Sequence, residues 1–383
     1  MEPFLDRFYD EVDYNLADPA SQKRLPKSTR YRDLFSVQQR IFERMMSATG
    51  QESLLRRSQA DITFVVNQEY YQLPPGFRQF ISLEKRLSEN PRTIAAVLGT
   101  VPVYSNERGI EIIGAEQGFR VQPIPQTSTE AGTWIMTYLR GPVKLHYATG
   151  TEAHNAYQSQ TIDTGAGWSV STTTLGYTDG FTAGLNGYTV YGYDAAGTLL
   201  GSGTITAADE DEITFGAITG LANGCSFTID ADLGWIRAGS PGTDAGELVP
   251  IADYYNGVML QVYSAAAQGY PQQRQVLDFY YEDSCWVFVL RHRWSVVPSG
   301  TVLYEILPEL MEGYDSLYAM DVAIVNSGRR GQFRRRAGLL QERHDLWQAC
   351  RNYAHSNTMD RAPQRIIVPR ADDIDPYDQS GFL

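Results

Sequence analysis

The sequence has few of the residues that mark disulfide-stabilised or metal-binding proteins. Its 383 residues include three cysteines, Cys225, Cys285 and Cys350, which are at least 60 residues apart. That odd number and wide spacing fit neither a disulfide framework nor a zinc knuckle. The five histidines are not at ligand spacing either. We therefore predict no metal site, and cysteines that act as small buried hydrophobic residues in a reducing compartment.

Long apolar runs are also missing. No run approaches the roughly 18 residues that a membrane-spanning helix needs, and the first fourteen residues are acidic and lack the apolar centre of a secretory signal. The composition, 43% hydrophobic and 20% charged, is typical of a globular chain. At roughly 100–200 residues a domain, we expect a soluble protein of two or three domains with no membrane partner.

The short motifs of common enzyme classes do not occur. There is no Gly-x-Ser-x-Gly elbow, no Walker-type loop and no Rossmann fingerprint. The glycine-rich stretch 184–192 lies among predicted strands, and no helix follows it that could hold a phosphate. We predict no catalytic residues, no cofactor and no enzymatic activity.

Basic residues are absent from one long block. The net charge is −13, and residues 151–236 contribute −10 of it, with ten acidic residues, no lysine or arginine, and fourteen glycines. A composition shift this sharp is typical of an inserted module. The acidic balance argues against a general nucleic-acid-binding surface. The acidic run 209–212 could contribute to a calcium site, but it lacks EF-hand spacing and we favour a solvated turn.

The segments around this block have the periods of helices and strands. Residues 29–49 place Leu34, Val37, Ile41, Met45 and Ala48 on one stripe, which predicts an amphipathic helix. Residues 313–326 and 332–355 predict two more helices, and we expect the helices from both ends to pack together. Strands are predicted within 60–83 around a Pro-Pro-Gly turn, at 101–104, 109–113 and 118–122, and within 133–147 on both sides of Gly141-Pro142.

Two stretches of the middle region resemble each other. Residues 186–230 and 256–306 both begin with Asn-Gly, alternate apolar residues, and pass an Ala-Ala…Gly turn and an acidic turn. This predicts two small all-β modules in tandem. The fold class is then α+β, a helix bundle packed on a β-sandwich with an all-β insertion. The domains are 1–150 (helices and β-sandwich), 151–245 (acidic β-module), 246–306 (second β-module), 307–362 (closing helices) and 363–383 (extended arm).

Three stretches resemble the head-to-tail adaptor (connector) proteins of tailed bacteriophages, the group that includes tail tubular protein A. They are QEYYQLPPGFRQFISL (68–83) after its leading helix, WIMTYLRGPVKL (134–145), and LPELMEGYDSLYAMDVAIVNSG (307–328) with the arginine-rich turn and helix that follow. Separately, residues 252–306 resemble a β-module common in phage structural proteins. Together the matches cover roughly 220 residues by pattern. The inserted block is where this chain departs from the compact adaptor pattern.

The resemblance implies a virion structural protein at the head–tail interface, assembled in the host cytoplasm. It implies a homo-oligomeric ring of about twelve copies, lying below the portal protein and around a lumen through which DNA passes without specific binding. Its further partners would be a downstream tail protein (nozzle, stopper or tail tube) and tail fibres.

Five arginines form the densest basic cluster, namely Arg329, Arg330, Arg334, Arg335 and Arg336. Contact with the phosphates of passing DNA is one interpretation. Docking onto an acidic portal surface is a second, because guanidinium groups pair bidentately with carboxylates. A solvated inter-helix turn with weak salt bridges is a third.

The C-terminal arm is the other candidate interface. Its residues Arg365, Ile366, Ile367, Val368, Pro369 and Arg370 could add a strand to a neighbour or lie in its groove, and by resemblance such arms reach into the portal. A disordered terminus is the alternative. For the whole protein, the alternative function is a tail-associated fibre-docking or carbohydrate-binding protein that uses the β insertion. Its tyrosines, such as Tyr157, Tyr177, Tyr188, Tyr191 and Tyr193, could stack on sugars where they are exposed, but ordinary strand packing is the favoured interpretation for most of them. A depolymerase is the least favoured.

Overall fold

In the part of the chain that the structure describes, four helices and a set of antiparallel strands make this an α+β protein, as the sequence predicted. The computed structural model describes residues 4–16, 26–47, 54–89, 92–100, 109–113, 118–127, 130–238, 248–263, 272–282, 285–298, 302–310 and 313–359. The strand predicted at 101–104 and the arm at 363–383 lie outside the described residues. Within those ranges, no helix is both long enough and apolar enough to cross a membrane.

The helices come from the two ends of the chain. They are α1 (Phe4–Leu16), α2 (Lys27–Ser47), α3 (Ser316–Arg329) and α4 (Phe333–Met359). Helix α3 packs against the other three. The stripe predicted on α2 is buried at Leu34, Val37, Ile41 and Met45. The apolar faces of the N-terminal helices and of α3 therefore cover each other, and neither would be stable alone in water.

Helix α1 was not predicted from the sequence. Its apolar residues do follow a helical period, because Phe4, Phe8, Val12 and Leu16 are four residues apart and all are buried. The aspartates and glutamate between them lie on the other faces of the helix. The acidic character of this segment therefore obscured a regular amphipathic pattern.

A small β-sandwich follows α2. One sheet has the order β1 (Arg57–Phe64), β7 (Gly132–Arg140), β3 (Phe77–Glu89), β4 (Arg92–Leu98). The second has the order β2 (Tyr70–Gln72), β6 (Gly118–Gln122), β5 (Gly109–Ile113). An aromatic core lies between them, made of Phe64, Tyr71, Phe119, Trp134 and Tyr138 with Leu83 and Met136. Aromatic and β-branched side chains suit such a pleated interior.

A closed six-stranded barrel forms the centre of the molecule. Its order is β16 (Leu233–Ala238), β19 (Cys285–Arg291), β18 (Gln272–Glu282), β17 (Met259–Tyr263), β20 (Val302–Ile306) and β8 (Tyr147–Asn155). Phe279, Phe288, Leu290 and Tyr304 are buried in the same core as the apolar faces of α1, α2 and α3. Closure leaves no free edge, which removes a common site of aggregation.

A seven-stranded sheet is inserted in the sequence between two strands of the barrel. Its order is β10 (Ser169–Val170), β11 (Thr174–Gly176), β14 (Glu212–Phe215), β13 (Leu199–Ala208), β12 (Thr189–Tyr193), β15 (Ser226–Ile229) and β9 (Gln160–Thr161). It lies in the chain between β8 and β16, which pair with each other in the barrel. We call residues 156–232 the nested sheet.

The boundary between the barrel and the nested sheet therefore does not follow the predicted β-modules, 151–245 and 246–306. Residues 151–155 and 233–236 lie inside the acidic block but belong to barrel strands. The limits of the acidic block therefore do not mark the limits of the nested sheet. The two similar stretches also differ in structure, since 186–230 lies in the nested sheet and 256–306 supplies barrel strands. What they share is a turn before a strand, with Gly187 at φ 87° and Gly257 at φ 83°.

The nested sheet packs on the outer face of the barrel. On β19, Phe288 and Leu290 belong to the barrel core, whereas Val287 and Val289 belong to the core of the nested sheet. This alternation explains why β19 reads as a continuous apolar run, because both of its faces are covered. Polar contacts complete the junction, among them a 2.8 Å hydrogen bond from Gly184 N to the Tyr280 hydroxyl.

Candidate functional site: the arginine-rich turn between α3 and α4

The turn between α3 and α4 brings the five predicted arginines to one end of the helix bundle. Helix α3 ends at Arg329, and Gly331 adopts a left-handed conformation (φ 70°) that lets the chain reverse. The backbone N–H of Gln332 donates to the carbonyl of Ser327 at 2.9 Å, and α4 begins at Phe333. The linear cluster is therefore also a cluster in space, although its members have different surroundings.

Arg329 binds a buried carboxylate of α2. Its Nη1 lies 2.6 Å from Asp33 Oδ2, and Asn326 Nδ2 donates to the same oxygen at 3.1 Å. Asp33 is 7% exposed, so its charge depends on these partners for compensation. Arg329 thus fixes the end of α3 to α2 and is committed to an intramolecular contact.

Arg335 binds the C-terminal end of α1. Its Nε donates to the carbonyl of Asn15 at 2.7 Å and its Nη2 to the carbonyl of Tyr14 at 3.4 Å. The last carbonyls of a helix lack intrahelical partners and carry partial negative charge, which a cation stabilises. This arginine therefore holds α4 against α1.

Arg334 and Arg336 are exposed, and Arg330 is half-buried. Among the described residues, neither Arg334 nor Arg336 has an ion pair. Three large apolar side chains on the same part of the bundle are also exposed, because Phe333 is 70% exposed, Leu340 46% and Tyr14, whose carbonyl accepts from Arg335, 80%. We call Tyr14, Phe333, Arg334, Arg336 and Leu340 the Phe333 patch.

The Phe333 patch follows one face of α4. Phe333, Arg336 and Leu340 are separated by three and four residues, so they lie along one stripe. Exposed aromatic and aliphatic groups beside free guanidinium groups suit a protein surface that carries apolar side chains and carboxylates. The same guanidinium groups could also contact phosphates.

The remaining predicted residues are distributed differently. Arg365, Ile366, Ile367, Val368, Pro369 and Arg370 lie outside the described residues. In the nested sheet, Tyr177 is exposed and the other four tyrosines named above are half-buried. The acidic run forms a turn, in which Asp209 Oδ1 accepts from the backbone N–H groups of Asp211 and Glu212. Within the described ranges, no group of three or more histidine, cysteine, aspartate or glutamate side chains could hold a metal ion.

Two buried glutamates were missed by sequence reasoning. Glu305 on β20 accepts hydrogen bonds from the backbone N–H groups of Phe4 (2.8 Å) and Leu5 (2.9 Å) and from the Tyr263 hydroxyl. Burial raises the pKa of Glu305 to about 7, against the lowering effect of these donors. Glu305, which belongs to the barrel strand β20, therefore caps the N-terminus of α1. Its only signal in the sequence is a carboxylate in the middle of the apolar strand Val-Leu-Tyr-Glu-Ile.

Glu309 connects three distant parts of the chain. Its Oε1 accepts from the backbone N–H of Val143 at 3.2 Å, and its backbone carbonyl accepts from Arg56 N at 2.6 Å. Burial raises the pKa of Glu309 to about 7, and nearby Arg140 and Arg56 oppose that rise. This carboxyl lies where the segments before β1, after β7 and before α3 meet.

Comparison with protein-family models, curated proteins and solved structures found no match to this chain.

Proposed function

We propose that this chain is a structural protein of a tailed-phage virion, an adaptor that assembles as a ring between the portal and the tail. The four helices, the barrel whose core they share and the β-sandwich would form the adaptor body, and DNA would pass through the ring. The nested sheet would be an addition to that body.

The observation that supports this most is where the three phage-like stretches lie. They are far apart in the sequence, yet β3 (from 68–83) pairs with β7 (from 134–145), and α2 packs against α3 (from 307–328). Glu309 of the third stretch accepts the Val143 N–H of the second. The stretches that carry the resemblance therefore form one contiguous body.

The Phe333 patch supports a partner-binding role for one end of that body. It combines exposed apolar side chains with guanidinium groups that are not used within the described part of the chain. Because Arg329 and Arg335 hold the turn rigidly against α2 and α1, little side-chain and backbone entropy would be lost when a partner docks. We assign this surface to the portal or to a neighbouring subunit of the ring.

Electron microscopy of the purified full chain, alone and with a portal ring, tests the proposal. We expect rings with a central channel and a complex with the portal. The double variant Phe333→Ser/Arg336→Glu should weaken assembly or portal binding at least about tenfold with an unchanged melting temperature, since both side chains are exposed. Arg40→Glu reverses a charge at another exposed position, on α2, and should have no effect. A stable monomer that never binds portal would contradict the proposal.

The nested sheet gives a second candidate function, carbohydrate binding or fibre docking. The rings of Trp168 and Tyr177 stack with centroids 4.6 Å apart, and Tyr177 is 36% exposed. An exposed ring that is held by stacking can bind the face of a sugar. Glycan binding by the full chain that is lost in Tyr177→Ala would support this function. Failure to bind any polysaccharide of the host surface would contradict it.

A further inference from the structure

A cleft of about 430 Å³ lies between the β-sandwich and the barrel, away from the arginine-rich turn. One wall is the turn that precedes β3 and the start of β3 itself. A second wall is the end of β7 with the residues that follow it, and the third is the turn 251–254 before β17. Two arginines, Arg78 and Arg140, line this cleft.

Two glycines allow the arginines to lie flat against the opposite strand. A Cβ atom on Gly76 would lie 2.9 Å from Arg140 Nε, and one on Gly141 would lie 2.9 Å from Arg78 Nε. The register of β3 and β7 shifts between Phe77 and Gln79, so that Arg78 is an extra residue in its strand. Such a bulge redirects a side chain, which here becomes part of the cleft wall.

Arg140 has hydrogen-bonding capacity that the fold does not use. It is 4% exposed, and its Nη2 donates to the carbonyl of Tyr254. Its Nε and Nη1 have no acceptor within the described part of the chain. Burial lowers the pKa of Arg140. The nearby carboxylate of Glu309 accepts from Val143 N, and no hydrogen bond joins it to Arg140. Buried Nε atoms without an acceptor occur at several described arginines, and Glu309 Oε2 also has no hydrogen bond, but among the described arginines two such nitrogens occur together at Arg140. The Nη1 atom of Arg140 therefore has room for one further acceptor.

The rest of the lining favours a peptide carboxylate over a phosphate ion. Pro75, Pro142 and Ile251 give the cleft an apolar rim, and Ile251 is 59% exposed. Asp253 contributes a carboxylate to the wall, held by Asn256 Nδ2 at 3.0 Å and hydrogen-bonded to Asp278. A phosphate dianion would place two charges at one point beside Asp253, whereas the carboxylates of a peptide are spread along its backbone. A single carboxylate flanked by apolar side chains fits both the guanidinium groups and the rim.

We propose that this cleft binds an aspartate carboxylate of the acidic segment 372–378 of the chain itself, from the same or a neighbouring copy. That segment alternates aspartates with Ile374, Pro376 and Tyr377, so its apolar side chains would pack on the rim. The thirteen residues from Met359 to Asp372 can span at most roughly 45 Å. This inference does not depend on the virion function.

The experiment measures binding of a fluorescent peptide of residues 363–383 to the full chain. The receptor carries Asp372→Asn, Asp373→Asn, Asp375→Asn and Asp378→Asn, so that its own segment does not compete. We expect saturable binding that weakens at least about tenfold in a receptor that also has Arg78→Gln, because one charged donor group is lost. Gly141→Ala displaces Arg78 without removing its charge and should weaken binding in the same direction. Arg40→Gln removes an exposed arginine of α2 and should leave binding unchanged.

Three outcomes would overturn the proposal. One is equal binding of a peptide in which the same four aspartates are asparagines, since the carboxylates would then be irrelevant. Another is unchanged binding in both Arg78→Gln and Gly141→Ala receptors whose circular dichroism shows the native fold. The third is binding of inorganic phosphate that depends on Arg78 while the peptide does not bind, which would make the cleft a phosphate site. None of these outcomes bears on ring formation or portal binding.

Discussion

Replacing Glu305 with glutamine should remove a specific part of the pH dependence of stability. Glu305 caps α1 from β20, and burial raises its pKa from 4.5 to about 7. Below its ordinary pKa the group is protonated in the folded and the unfolded chain. As the pH rises from there to about 7, the unfolded chain releases the proton and the folded chain retains it, so the free energy of unfolding falls.

The expected size follows from the two pKa values. A difference between 4.5 and about 7 corresponds to about 3 kcal/mol, at about 1.4 kcal/mol for each pH unit. Glu305→Gln cannot ionise, and its single oxygen can accept from only one of the Phe4 and Leu5 amides, which bind different oxygens of Glu305. The loss of the second hydrogen bond does not depend on pH, so it does not enter the pH-dependent difference. Between about pH 4.5 and about pH 8, the unsubstituted protein should therefore lose about 3 kcal/mol of unfolding free energy that Glu305→Gln does not lose.

Urea unfolding followed by tryptophan fluorescence measures this difference, because Trp235 and Trp294 are buried at the barrel. The comparison cancels the contribution of Glu309, which is present in both proteins. Glu342→Gln, at an exposed position on α4, is the control and should give a difference that does not change with pH. A pH-independent difference for Glu305→Gln would refute the reasoning, because it would mean that the amide donors of α1 outweigh burial and keep the carboxyl ionised.

Three further predictions concern other contacts. Arg329→Met should lower the free energy of unfolding by about 1–2 kcal/mol, because Asp33 stays buried with fewer partners. Asp33→Asn in the same chain should restore most of the loss, and Arg334→Met is the control. Additive losses in the double variant would contradict the pairing. Gly257→Ala should lower the melting temperature more than Gly313→Ala. Both glycines have positive φ, but only at Gly257 would a Cβ lie 2.6 Å from the Tyr138 hydroxyl. Equal losses in melting temperature would mean that the surroundings of Gly257 relax. Tyr280→Phe should reduce the hydrogen-exchange protection of the Gly184 amide by about 1 kcal/mol, because its hydrogen bond is lost. Tyr281→Phe, at a 60% exposed position, is the control and should leave that protection unchanged. Unchanged protection in Tyr280→Phe would show that the hydrogen bond does not hold the nested sheet.

Local periodicity made part of this structure predictable. The stripe on α2 and the Pro-Pro-Gly turn before β3 depend on neighbouring residues, so the sequence displays them directly. The strand predicted directly after Gly141-Pro142 is wrong, because residues 141–146 have no regular structure and β8 begins at Tyr147. The five arginines were recognised because they are close in the chain, but their roles were not. Arg329 pairs with Asp33 across almost the whole sequence, and no local pattern records that contact.

Apart from helix α1, whose period is local, the missed features depend on distant pairings. The cleft of Arg78 and Arg140 exists because β3 and β7 meet in one register with one extra residue. Glu305 is a capping group only because α1 lies against β20. The boundary of the nested sheet depends on β8 pairing with β16, strands that are about 80 residues apart in the chain. Loop closure of that length carries no local sequence signal.

The pairing of β8 with β16 also orders the events of folding. The amide of Ala156 donates to the carbonyl of Leu233 at 3.0 Å, so the nested sheet starts and ends at two adjacent points of the barrel wall. Bringing those points together through 76 flexible residues would cost loop entropy at each attempt, whereas a folded sheet holds its own ends side by side. We expect the nested sheet to fold first and the barrel to close around its ends. Because the ends meet across one strand spacing, a short hairpin could join β8 to β16 in place of the whole sheet. Such a barrel would expose Val287 and Val289, so it would need polar residues at these two positions.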